Sequence, residues 1–327
     1  MNKCCKENRY TRNRHNDLYD DCEELEYTRS TDNFDRERGY SNNRCSKAKK
    51  WGCGKENVYK KEVQFWTGCS IQHIELLIGS NGVFGVVLSR KVEKVLEEVN
   101  NEFCHIIELL GCYKSDAAKI VKQFLKVNAC FIKVLNRIMF EEYLGASELF
   151  EVVNHFMIEQ IYAARVFVDK KRSPQYKAKR NVLGPDFYVK EGFGESKLER
   201  AYNIFYFWNI ISAQHASILE NIITYNNCDV PRKFYCGFDN FKKAYISLNR
   251  KFGEYFETMS IIKLKSIGTD MLNANMEFLS FLYSLTPLEI GTFLPRDTPE
   301  AFFDFKEHVI EEQEYICEGL KRWIYTL

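Results

Sequence analysis

The pattern of hydrophobic positions changes sharply near residue 60. Before Val58, the only branched aliphatic residues are Leu18 and Leu25, and Arg, Asn, Asp, Glu, Ser and Tyr dominate. Such a stretch cannot bury enough apolar surface to offset the entropy lost on ordering. We therefore predict that residues 1–58 form a disordered polar tail.

Beyond the tail, apolar residues recur at the spacing of an α-helix, and proline is nearly absent from these runs. The pattern predicts four helices, then a break, then four more helices. The predicted helices span residues 60–79, 87–111, 115–143, 147–168, 196–226, 236–262, 267–285 and 298–325. The fold class expected from this pattern is all-α, with one helical bundle over residues 59–168 and a second over 196–327.

The break between the two groups of helices covers residues 169–195. It combines a basic run with Pro174, Gly184, Pro185, Gly192 and Gly194. Proline and glycine at this density mark connections and not helices. We interpret this segment as a linker between the two bundles.

Two local matches indicate that the second bundle repeats the first. Residues 65–73, FWTGCSIQH, align with residues 207–215, FWNIISAQH, and share Phe, Trp, Ser, Gln and His. Residues 155–162, HFMIEQIY, align with residues 308–315, HVIEEQEY, and agree at four of eight positions. We infer an internal duplication of a whole domain.

Helix geometry places the repeated polar residues on the buried side. Residues seven apart lie almost two turns apart, so Trp66 and His73 share a stripe with Ser70, as the equivalent residues do in the second half. His155 and Glu159 share a stripe in the same way, as do His308 and Glu312. Since large apolar residues flank these stripes, the histidines and glutamates are expected to point into the bundle.

Buried carboxylates need a compensating charge, and no Lys or Arg occupies a matching position in both halves. A metal ion could supply that charge, because helical bundles often build metal sites from inward His and Glu on facing helices. Aligning Asn128 with Asn275 also brings Glu142 opposite Glu289. The predicted metal ligands are His73, Glu142, His155 and Glu159 in the first bundle and His215, Glu289, His308 and Glu312 in the second.

At these residues the chain resembles the domain of unknown function 2935 family, bacterial proteins grouped structurally as Bacillus cereus metalloprotein-like. The motifs that carry the resemblance are FW-x5-QH, at residues 65–73 and 207–215, and the H-x3-E segments that begin at His155 and His308. The resemblance implies two tandem up-and-down four-helix bundles, with inward metal ligands on the first and last helix of each. Gln72 and Gln214 stand where that family usually has an acidic residue.

Composition narrows the classes of partner. The chain has 46 Lys and Arg against 45 Asp and Glu, so no global field would attract nucleic acid or an anionic membrane. No apolar run is long enough for a membrane span, and no secretory signal is recognisable, so a cytoplasmic protein is expected. Protein partners remain undefined. Cys69, Cys104, Cys130 and Cys317 lie in apolar helical segments and are predicted to be reduced and buried.

Three functions fit these observations. The first is a metal-binding protein with one His/Glu site per bundle, for metal storage, sensing, or oxygen or peroxide chemistry. Imidazole and carboxylate ligands suit a divalent transition metal, with iron favoured and manganese or zinc as alternatives. The second is a metal-free structural or interaction protein with a duplicated buried His/Glu network. The third is a di-iron oxidoreductase, which ranks last because such a centre needs about five to seven ligands and each bundle offers four.

Overall fold

The computed structural model describes residues 58–79, 88–111, 117–142, 147–168, 196–226, 228–255, 258, 260–295 and 298–327. Within these ranges the protein is helical and contains no β-strand, which confirms the all-α prediction. Residues 1–57 of the predicted tail lie outside the described residues, as does the predicted linker, residues 169–195.

Eight α-helices make up the described structure, and we number them in chain order. A π-helical turn, Ile138–Glu142, continues the third helix, and a 3-10 turn, Gly291–Phe293, precedes the last. The helices are α1 Val58–Gly79, α2 Arg90–Gly111, α3 Ala117–Arg137, α4 Ser147–Val168, α5 Lys197–Tyr225, α6 Arg232–Tyr255, α7 Ile261–Ser284 and α8 Thr298–Thr326.

The helices pack in two groups of four. Helices α1 to α4 contact one another, and α5 to α8 do the same. The groups meet along two helix pairs, α4 against α5 and α1 against α8. The first and last helices of each group therefore face the other group, and these are the helices that carry the repeated motifs.

Amphipathic patterning explains the outer helices of each group. In α2 the buried residues are Val92, Leu96, Val99, Phe103 and Ile106, at intervals of three and four. This spacing gives an apolar stripe on one side of the helix, and the other side carries charge.

Helix α5 starts at a capping box, in which Ser196 and Glu199 each bond the other's backbone N–H.

Two helices differ most from the bounds expected. The predicted helices 236–262 and 267–285 are observed as Arg232–Tyr255 and Ile261–Ser284. Pro231 directly precedes α6, where its fixed φ and missing N–H do no harm. Ser260 caps α7 by accepting a hydrogen bond from the Lys263 backbone N–H. These local stop and start signals outweigh the continuous apolar pattern.

An aromatic cluster joins the two groups of helices. The indole rings of Trp66 and Trp208, on α1 and α5, stack with centroids 5.7 Å apart. Tyr162 stacks on Phe207, and Tyr315 stacks on Phe65, each at 3.6 Å and each across the boundary between the groups. Stacked aromatic pairs contribute beyond their buried area, so this cluster holds the two groups together.

The cysteine prediction is correct in part. Cys69 and Cys317 are buried free thiols. Cys104 and Cys130 are disulfide-bonded, so the prediction that they are reduced is wrong. Apolar, helical surroundings indicate burial but do not distinguish a thiol from a disulfide. None of the described helices has the length and apolar character required to cross a bilayer.

Candidate metal centre

Six buried side chains converge where α1, α4, α5 and α8 meet. Each of these helices contributes a histidine, and α4 and α8 each add a glutamate one turn later. All six are at most 1% exposed. The residues are His73, His155, Glu159, His215, His308 and Glu312.

The four histidines form two pairs, and each pair spans the two groups of helices. The Nε2 atoms of His73, on α1, and His308, on α8, are 3.1 Å apart. The rings of His155, on α4, and His215, on α5, have centroids 4.8 Å apart. Each pair therefore presents two imidazole nitrogens to one small volume.

Both glutamates lie between the histidine pairs. Glu159 places Oε2 3.1 Å from His73 Nε2 and Oε1 3.5 Å from His155 Nε2. Glu312 places Oε1 3.7 Å from His308 Nε2 and Oε2 3.0 Å from His215 Nε2. Each carboxylate thus has one oxygen toward each pair of histidines.

This arrangement is one shared centre, where the sequence analysis expected one site in each bundle. The two overlapping sets of ligand atoms, each within 4.8 Å, both include Glu312 and His308. Helical spacing correctly indicates which residues face inward. Helical spacing does not indicate whether an inward face packs within its own bundle or against the inward face of the other bundle. The packing of α4 on α5 and of α1 on α8 decides this.

Of the two remaining predicted ligands, the structure describes the side chain of Glu289, which is not part of this group. Glu289 is about half exposed and forms an ion pair with Lys233 at 2.9 Å. Helix α7 ends at Ser284, ahead of Pro287, so the helical register that aligned Glu289 with the buried Asn275 does not extend that far. Glu142 ends the π-helical turn after α3, and its side chain lies outside the described residues.

Four glutamines hold the outer nitrogens of the imidazole rings. His308 Nδ1 lies 2.9 Å from Gln72 Oε1, and His155 Nδ1 lies 3.0 Å from Gln214 Oε1. Gln72 and Gln214 therefore bond a histidine of the opposite group and are not turned to the centre. Gln160 and Gln313 reach the other two histidines, with 3.0 Å from Gln160 Nε2 to His73 Nδ1.

Gln160 and Gln313 were not singled out by the sequence analysis, although a signal was present. Each directly follows the glutamate of the repeated motif, and each is fully buried. An uncharged amide repeated beside a repeated ligand indicates a partner for that ligand, because metal-binding imidazoles usually bond a second group through their other nitrogen.

Burial disfavours charge on the four histidines and on Glu159. Burial lowers the pKa of His155 and of His215 to about 3 and that of His308 to about 4. The pKa of His73 is lowered well below its ordinary value by burial and then by the other histidines. The pKa of Glu159 is raised by burial and then by the charge of Glu312. The histidines are therefore neutral imidazoles, the form that binds metals.

The ligand atoms lack ordinary hydrogen-bond partners. Both carboxylate oxygens of Glu159 and of Glu312 are buried and without a hydrogen bond, as is Nε2 of His155 and of His215. Buried polar atoms in proteins are almost always satisfied, and each exception needs an explanation. A cation among these atoms would satisfy all of them at once, so the donor set fits a metal ion.

Cys69 lies close to the centre on one side only. Its thiol is buried, and its pKa is raised by burial and then by the charges of Glu312 and Glu159. The equivalent residue of the second half is Ile211. The thiol therefore stays protonated.

Comparison with protein families and with curated proteins finds no match to this chain.

Proposed function

We propose that this protein is a non-haem metal protein with one dinuclear centre between two duplicated four-helix bundles. The observation that carries this proposal is the set of buried, unpartnered carboxylate oxygens that face two histidine pairs. The six converging side chains belong to the motifs that are repeated in the two halves of the sequence. This proposal keeps the metal-binding role predicted from the sequence. It differs in that a single site lies between the bundles, in place of one site within each.

The arrangement assigns a ligand set to each ion. One ion would bind His73 and His308, the other His155 and His215. Glu159 and Glu312 would bridge the two ions, since each has one oxygen toward each pair. Six ligands then serve two ions, which falls in the range of bundle-type dinuclear sites. The di-iron hypothesis, ranked last from four ligands per bundle, gains support from this count.

Charge balance indicates that such a centre binds something besides protein. Two glutamates neutralise one divalent ion, but two divalent ions leave an excess of positive charge in a buried site. A small anion from solvent would offset that excess and would occupy positions that the protein leaves open. A redox-active ion with open coordination positions would be able to react with dioxygen or peroxide. Nitrogen and oxygen ligands favour iron or manganese, and zinc is a third possibility.

Metal quantification tests the proposal. The full chain, purified without chelator, is expected to contain about two metal equivalents by elemental analysis. Glu159→Gln should lose both ions, because it removes a ligand that both share. His105→Ala is the matched control, since His105 pairs with Glu108 on the surface of α2, and it should retain both ions.

Two outcomes contradict the proposal in different ways. Loss of only one equivalent in Glu159→Gln would mean that the carboxylate does not bridge and that two separate sites exist. Metal-free wild-type protein that neither binds nor is stabilised by added iron, manganese or zinc would favour the second function, a structural protein with a buried His/Glu network.

A further inference from the structure

We infer that Gln160 and Gln313 control which ring nitrogen of His73 and His215 carries the proton, and that ion binding turns their side-chain amides over. The inference rests on the proposed function. It concerns residues that bind no ion themselves, so we treat both glutamines as positioning residues.

The orientation of the Gln160 amide follows from its two partners. Ser70 Oγ donates to Gln160 Oε1 at 2.8 Å, so the oxygen of the amide faces the serine. Its nitrogen therefore faces His73 and donates to Nδ1 at 3.0 Å. A neutral imidazole that accepts at Nδ1 carries its proton on Nε2.

That proton points into the centre. His73 Nε2 lies 3.1 Å from Glu159 Oε2 and 3.1 Å from His308 Nε2. Of these two, His308 Nε2 is the hydrogen-bond partner of this N–H group, whereas the Glu159 oxygen, although equally near, makes no hydrogen bond. In this form His73 cannot bind an ion through Nε2, because the lone pair of that nitrogen is occupied by the proton.

The second half leads to the same tautomer through a different serine contact. Ser212 donates to Asn275 Oδ1 at 3.0 Å and accepts from Gln313, whose amide oxygen is farther away, at 3.4 Å. Gln313 Nε2 donates to His215 Nδ1 and to Ser212 Oγ, each at 3.0 Å. His215 Nε2 then carries the proton and lies 3.0 Å from Glu312 Oε2. The equivalent role of Gln160 and Gln313 follows from their equivalent places after the repeated glutamates.

His155 and His308 have the opposite tautomer. Their Nδ1 atoms lie 3.0 and 2.9 Å from the amide oxygens of Gln214 and Gln72, which only accept. The proton is therefore on Nδ1, and Nε2 is ready to bind. His155 and His308 therefore have the tautomer that binds an ion through Nε2, whereas His73 and His215 must first change tautomer.

Ion binding requires a proton on Nδ1 of His73 and an acceptor for it. The ring loses the proton from Nε2 and gains one at Nδ1, so the imidazole stays neutral throughout. Rotation of the Gln160 amide by half a turn brings Oε1 to His73 as that acceptor. The same change at Gln313 serves His215.

The serines behind the glutamines make this rotation possible without loss of a hydrogen bond. After rotation, Gln160 Nε2 donates to Ser70 Oγ, whose proton goes to the Trp66 carbonyl oxygen 2.7 Å away. Ser212 already accepts from Gln313 Nε2 and donates to Asn275 Oδ1 at 3.0 Å. Each serine therefore has an alternative acceptor that allows it to receive the amide N–H.

Nitrogen NMR of the full chain labelled with 15N-histidine tests the inference, with Zn²⁺ as a diamagnetic probe. Long-range 15N–1H correlations identify the protonated nitrogen of each ring. In metal-free protein, we expect His73 and His215 to be protonated at Nε2 and His155 and His308 at Nδ1. With Zn²⁺ bound, all four should be protonated at Nδ1.

Matched variants assign the effect to the glutamines. In Gln160→Glu, the carboxylate can only accept, so His73 should have its proton on Nδ1 before metal is added, and Zn²⁺ should bind more tightly. Gln160→Met removes the acceptor and should weaken Zn²⁺ binding roughly 10- to 100-fold, as changes to partners of ligands do. Gln123→Glu, on α3, adds the same charge elsewhere and should leave all four tautomers unchanged.

The outcomes separate this inference from the proposed function. Metal-free protein in which all four rings are protonated at Nδ1 overturns the inference and leaves the metal centre standing. So does bound Zn²⁺ with His73 still protonated at Nε2. Histidine signals that do not respond to Zn²⁺ overturn the proposed function, whatever the tautomers of the metal-free protein.

Discussion

At the scale of single residues, the spacing of the motif does not identify the nearest partner. His155 and Glu159 are one turn apart, and their ligand atoms are 3.5 Å apart. A closer contact of Glu159, at 3.1 Å, is with His73 on another helix, and a further contact, at 3.8 Å, is with His215 of the other half. One carboxylate thus connects three histidines.

The depressed pKa values predict how the metal-free protein responds to acid. An unfolded histidine titrates near 6.5, but burial lowers the pKa of His155 and His215 to about 3 and that of His308 to about 4. Below about pH 6.5, these histidines therefore bind protons in the unfolded state and remain unprotonated in the folded state. Stability is fully present above about pH 6.5 and is lost as the pH falls toward 4, by up to about 1.4 kcal/mol per pH unit for each histidine.

Urea unfolding of chelator-treated protein at pH 7, 6 and 5 measures this loss. The pKa of Glu159 is raised, so protonation of this group opposes the trend by favouring the folded state as the pH falls. His155→Gln removes one of the titrating groups and should flatten the dependence, whereas the exposed His105→Gln should not. An unfolding free energy that stays constant from pH 7 to 5 would contradict neutral, buried histidines.

At the scale of helices, close approach depends on small residues at defined positions. Gly268 on α7 is buried, and a Cβ there would lie 2.6 Å from a ring carbon of Phe205 on α5 and 3.1 Å from Ile324 on α8. Such a distance is far inside van der Waals contact. Gly268 therefore allows α7 to lie against α5 and α8, the two helices of the second group that carry candidate ligands.

Gly268→Ala should destabilise the protein by about 1–3 kcal/mol, because a buried Phe ring must leave its place. Gly319→Ala on α8 is the matched control, since a Cβ there meets nothing within 4 Å. The control should be neutral or stabilising by about 0.5–1 kcal/mol through helix propensity. Equal effects of the two changes on the urea midpoint would contradict the close packing of α7.

At the scale of the whole molecule, the candidate ligands come from both groups of helices. His73, His155 and Glu159 come from the first, and His215, His308 and Glu312 come from the second. Because these ligands come together only in the folded protein, an ion that binds them stabilises the contact between the groups together with each group.

Calorimetry of the full chain with and without metal measures this coupling. A free metal concentration of 100 times the Kd should stabilise the folded state by about 2.7 kcal/mol for each ion bound. The thermal transition should move up as a single unit, and the shift should vanish in both Glu159→Gln and Glu312→Gln while it persists in His105→Ala. A shift confined to part of the transition would mean that the ion binds within one group only.

The sequence by itself determined the helical class and the inward faces. Apolar residues at intervals of three and four specify a helix and its buried stripe, because both depend only on neighbours along the chain. For that reason His73, His155, Glu159, His215, His308 and Glu312 were recognisable as buried polar residues. The end of α6 at Tyr255 and the start of α7 after Ser260 were harder to predict, because the apolar pattern of the sequence continues through both.

Tertiary structure alone decided how the inward faces are combined. The packing of α4 on α5 and of α1 on α8 turns two sets of ligands toward each other, and it pairs Gln72 and Gln214 with histidines of the opposite group. No spacing in the sequence encodes this choice, since a helix presents the same stripe whichever helix covers it. The contact between distant segments therefore determined that the six candidate ligands form one cluster.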